Sequence, residues 1–96
     1  MLVNRGLAIG EIVTIRTTAG EEIIGRLEVE DEKFITLGKP HALVATQKGA
    51  TLAPVIFTVD VETIPFAKHS VMIGPLPSGK DASDLYIQKS TGIALG

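Results

Sequence analysis

From Gly10 to Leu37, in GEIVTIRTTAGEEIIGRLEVEDEKFITL, apolar and polar residues alternate with the period of strands that bury one face. Val13, Ile15 and Thr17 share one parity; Thr14, Arg16 and Thr18 share the other. Ala19-Gly20-Glu21 supplies a turn, with Gly20 free to take the positive φ that hairpins favour. A second strand then sets Ile23, Gly25, Leu27 and Val29 on one face, with Glu22, Arg26, Glu28 and Glu30 mostly on the other. A glycine in mid-strand marks a bend or bulge, so Gly25 predicts a sharply curved second strand. A long strand bent at its centre is how a short sheet rolls into a small barrel. Glu30-Asp31-Glu32-Lys33 forms the second turn, and a third strand begins at Phe34.

Downstream the pattern is more broken. Gly38-Lys39-Pro40 predicts an edge, a bulge or a break in the third strand, since proline donates nothing to a ladder. Pairing resumes over His41–Thr46, and Gln47–Ala50 reads as a loop. The longest alternating segment, Val55 to Val61, predicts a fourth strand that Pro65 ends. Phe66-Ala67-Lys68-His69 is a tight loop, and Ser70–Ile73 is the fifth strand. The fourth and fifth strands are the expected sheet edges. Met1 to Ile9 predicts a turn of helix that carries Leu2, Val3 and Leu7 towards the barrel, with Gly6 opposing it. Pro75–Gly79 is a linker by composition. Asp81–Ser90 suits a helix capped by an acid or serine and ended by Gly92, while Tyr86 and Ile87 suit a strand equally. The expected organisation is a barrel domain over 1–74 and an extension over 75–96.

Gly20, Gly25, Leu27 and Asp31, with Val13 and Ile15 before them and Leu37 after, carry a family resemblance. This stretch resembles the first signature segment of Sm-like proteins, and the chain is also similar to small Sm-like proteins of marine phage. The resemblance covers roughly residues 7 to 74 and implies a strongly bent, five-stranded antiparallel barrel of the SH3 type with a short N-terminal helix. It implies a ring of subunits, which unlike edges pairing head to tail would close at about five to seven copies. It further implies a non-catalytic role in RNA processing or as an RNA chaperone. One position departs from the family: Ile35 stands where many members carry a uracil-reading asparagine.

Composition narrows the function. The chain has 96 residues, a 45% hydrophobic fraction and only four aromatics, so much aliphatic strand surface is left for burial between subunits. No run approaches the roughly 18 apolar residues of a membrane helix, and the N-terminus lacks the apolar core of a signal peptide. The absence of cysteine removes disulfides and thiolate metal sites and suits a reducing cytoplasm. No G-x-S-x-G, P-loop or H-E-x-x-H motif occurs, so neither an enzyme nor a cofactor is expected. His41 and His69 have no ligand spacing with Asp31 or Asp60, and no metal is expected. With a net charge of −2, nucleic-acid binding has to come from a local patch.

The candidate patch combines two loops. Lys68 and His69 match by type and place the Lys-His pair that lines the pore of the bacterial Sm-like RNA chaperone. A lysine and a histidine at a loop tip meet phosphate or ribose, and a ring repeats them around its axis. Phe34, at the second-to-third strand turn, suits base stacking and core packing about equally. Lys33 joins it, beside an acidic run in which four of the five residues Glu28 to Glu32 are acids. The expected partner is single-stranded RNA, with DNA next. The alternative is a ring-forming structural or assembly module of a phage-encoded type, without nucleic acid.

Overall fold

A computed structural model describes residues 7–92 of the chain. The strands are β1 (Ile12–Thr17), β2 (Glu22–Glu30), β3 (Phe34–Thr46), β4 (Gly49–Pro54), β5 (Thr63–Ala67) and β6 (Val71–Pro77). A 3-10 turn at Lys68–Ser70 joins β5 to β6, and helix α1 (Lys80–Thr91) follows. The protein is therefore mostly β, with one antiparallel sheet and a C-terminal helix. The sheet order is β4-β3-β2-β1-β6, and β5 lies against β3. β5 pairs with residues 34–38 of β3 and β4 with residues 41–46, so two short strands share one edge of a long one. The sheet does not close into a barrel, because β4 and β6 end it.

The alternation read in β1 and β2 sorts the two faces. Val13, Ile15, Ile23, Leu27, Ile35 and Leu37 form the main core, with Phe66, Val71 and Leu7 packed against it. Ile24 points the other way and meets Leu52 and Tyr86 under α1, beside Ile12 and Leu85. The adjacent Ile23 and Ile24 thus serve opposite faces, as a period of two requires.

Several expectations are corrected. Six strands, not the expected five, occur among the described residues. Gln47–Ala50, expected as a loop, contributes Gly49 and Ala50 to β4. Val55–Val61, expected as the fourth strand, lies outside any strand, and the strand that follows it is β5, with Pro65 inside. Pro65 is tolerated there because β5 pairs on one side only. Pro75–Pro77, expected as linker, is the end of β6. The 81–90 segment is helical, but its N-cap is Gly79 without a side-chain bond; Gly92 caps its C-terminus in the left-handed conformation. The expected N-terminal helix falls mainly outside the described residues, and Leu7–Ile9 are not helical.

Pro40 marks a bulge. Ile24 pairs with His41 and Arg26 with Gly38, so β3 spends one more residue than β2 across this interval. Lys39 lies there with a φ of 44°, the only positive value at a non-glycine position among the described residues. Gly25 faces this bulge. A Cβ on it would sit 3.0 Å from the Gly38 oxygen and 3.0 Å from the Leu37 Cβ.

Candidate nucleic-acid interface

The two loops singled out in the sequence lie side by side. β5 runs antiparallel to the start of β3, with Phe34 opposite Ala67. The ladder continues one step further, where the Lys68 N–H donates to the Lys33 carbonyl at 2.8 Å. Lys33, Phe34, Lys68 and His69, separated by more than thirty residues of chain, therefore occupy one end of the sheet. Phe34 is an exposed residue, at 41%, and belongs to neither core cluster. His69 is exposed and Lys68 partly so.

Asp31 builds the first loop. Its Oδ1 accepts the backbone N–H of Lys33 and that of Phe34, both at 2.8 Å. The Asp31 N–H donates to the Phe34 carbonyl at 3.0 Å, closing the turn. The Lys33 N–H bond, then that of Phe34, lowers the Asp31 pKa below its ordinary value, with smaller help from the Lys68 and Lys33 charges. An aspartate two and three residues before its donors is the sequence signal that would have found this Asx turn. The composition there, four acids in five residues, suggested only a solvated turn.

Lys68 also has a partner that the sequence did not reveal. Its Nζ lies 3.2 Å from Glu30 Oε2, with both side chains partly exposed. Glu30, Asp31 and Glu32 immediately precede Lys33, so with Lys68 this end of the sheet carries three carboxylates against two amines. Any anion that reaches Lys68 competes with Glu30, and Phe34 offers a stacking face that does not depend on charge.

A concave region lies at the β3 bulge. Two adjoining hollows, of about 230 and 170 Å³, share Lys39, Glu62 and Ser90. Arg26, Glu28, His41 and Lys89 are among the other polar residues that line them. The strained Lys39 is fixed by its N–H to the Glu62 carbonyl at 2.7 Å, and its Nζ reaches the Ser90 carbonyl at 3.4 Å. Buried His41 turns Nδ1 to the Lys39 carbonyl at 2.8 Å and meets the Tyr86 ring edge-on at 5.5 Å. The mixed charges of these hollows favour neither an anion nor a cation. No cluster of three or more His, Asp or Glu side chains suited to a metal occurs among the described residues. No described helix is long and apolar enough to cross a membrane.

Compared with known proteins, the chain matches no family model, and no curated protein matches it.

Proposed function

We propose that this chain is an Sm-like protein whose subunits form a ring and bind single-stranded nucleic acid, RNA foremost, through the Lys33–Phe34 and Lys68–His69 loops. The observation that carries the reading is their juxtaposition: Lys68 bonds to the Lys33 carbonyl while Phe34 pairs with Ala67. A base stacks on Phe34, and the neighbouring Lys68 amine and His69 ring meet the phosphate or ribose. No bond is made or broken; the work is binding, and its setting is the cytoplasm. Repetition around a ring multiplies a patch that is weak in one subunit.

Glu30 sets the strength of the charge contribution. In the free protein it holds Lys68, and bound phosphate has to displace it. Glu30→Gln is therefore expected to tighten binding of a short uridine- or adenosine-rich RNA several-fold at low salt. Weaker or unchanged binding in that variant, measured by fluorescence anisotropy, would place the phosphate elsewhere.

A second reading, a structural ring without nucleic acid, is favoured by one observation: carboxylates outnumber amines at the candidate site. The two readings part on whether the parent protein binds RNA at low salt.

A further inference from the structure

We propose that β4 pairs through its outer edge with β4 of a second copy, antiparallel about a two-fold axis. β4 ends the sheet, and no described strand pairs with its outer side. Natural edge strands are guarded by charges or prolines. Pro65 lies inside β5, and Pro75 and Pro77 lie in β6. β4 has only Pro54, at its end, and no charged residue. From His41 to Val59 the sole lysine, arginine or acid is Lys48, at the hairpin tip.

The faces of this ribbon make the same demand. Leu43 and Val44 are consecutive, so they point to opposite faces, and they are 45% and 37% exposed. Over residues 43–50, beyond the buried Leu52, the ribbon is exposed on both faces, and a two-stranded ribbon so exposed is marginal in water. Pairing β4 with its copy turns the two strands into four and brings the apolar residues of both ribbons side by side.

The occupant is a second copy because the edge complements itself. A two-fold axis keeps each face of the sheet, so opposed residues share a parity; in the register centred on Thr51, that residue faces the partner's Thr51, and Ala50 faces the partner's Leu52. Small uncharged side chains then oppose one another without like-charge repulsion. A two-fold contact of this kind is closed and consumes the free edge. It does not rest on the ring, which would use the edges of β5 and β6.

Two measurements test it. The chain has no cysteine, so a single introduced thiol is a clean probe. Thr51→Cys is expected to give a covalent dimer with a short bismaleimide at micromolar protein. The double variant Ala50→Lys, Ala53→Lys puts two amines on each copy of the edge, four along the joined strands, and its mass by light scattering is expected to be half the parent's. An uncrosslinked Thr51→Cys protein, together with an unchanged mass in the double variant, overturns the β4 interface while leaving a ring intact. A monomeric parent overturns both.

Discussion

Gly25 has no space for a side chain, because β3 bulges against it and puts the Gly38 oxygen and the Leu37 Cβ within 3.0 Å of where a Cβ would be. Gly25→Val is expected to destabilise the fold by about 1–3 kcal/mol, read from denaturant melts. A melt that coincides with the parent's would mean that the bulge relaxes freely. The sequence located this constraint through a glycine in an apolar alternation. It did not give the cause, since the extra residue lies on the partner strand and the pairing is long-range. Asp31 gives the second prediction. Its carboxylate is favoured in the folded state, so its pKa is lowered from 3.8. That stabilisation is complete above the ordinary value and is lost as pH falls through the lowered pKa. Asp31→Ala is accordingly expected to melt below the parent at neutral pH, with the gap narrowing at and below pH 3.8. A gap that stays constant with pH would detach the turn from the charge of Asp31.

Among the elements, β1, β2 and the start of β3 were legible because each alternates around a single core and is joined by a short turn. The Val55–Val61 segment has the same alternation and forms no strand. Its ends are pinned to neighbouring residues of β3, through Val55 N–H to the Pro40 carbonyl and the Glu62 carbonyl to Lys39 N–H. The closed excursion leaves Phe57 82% exposed. Alternation reports a preference for extended backbone, whereas a strand also needs a partner, and here β4 and β5 take the available edge of β3. Helix α1 was ambiguous for a related reason: its docking rests largely on one residue. Tyr86 is 1% exposed and donates its hydroxyl to the Gly38 carbonyl at 2.7 Å, beside the bulge. Tyr86→Phe removes that bond while keeping the ring and is expected to cost about 1–2 kcal/mol in denaturant unfolding. Stability equal to the parent's would show that the Gly38 carbonyl finds water instead.

At the scale of the whole molecule, the sequence suggested a small, strongly bent barrel of five strands with two free edges, and the structure is an open six-stranded sheet with a helix on one face. The candidate site fared differently. Its residues were read from two separate loops, and the pairing of β3 with β5 brings those loops together. Glu30 escaped notice because a salt bridge between Glu30 and Lys68, distant in the chain, leaves no mark in local pattern. The account as a whole turns on whether this end of the sheet binds single-stranded RNA. A salt titration of fluorescent oligonucleotide binding measures it directly, comparing the parent with Lys68→Ala and Phe34→Ala, and with Lys48→Ala at the distant hairpin tip as the control. The account predicts that parent affinity falls steeply with salt and that Lys68→Ala flattens that slope. Phe34→Ala should weaken binding by roughly 1–3 kcal/mol per stacked base with the slope nearly unchanged, and Lys48→Ala should match the parent. No detectable binding by the parent at low salt would contradict it.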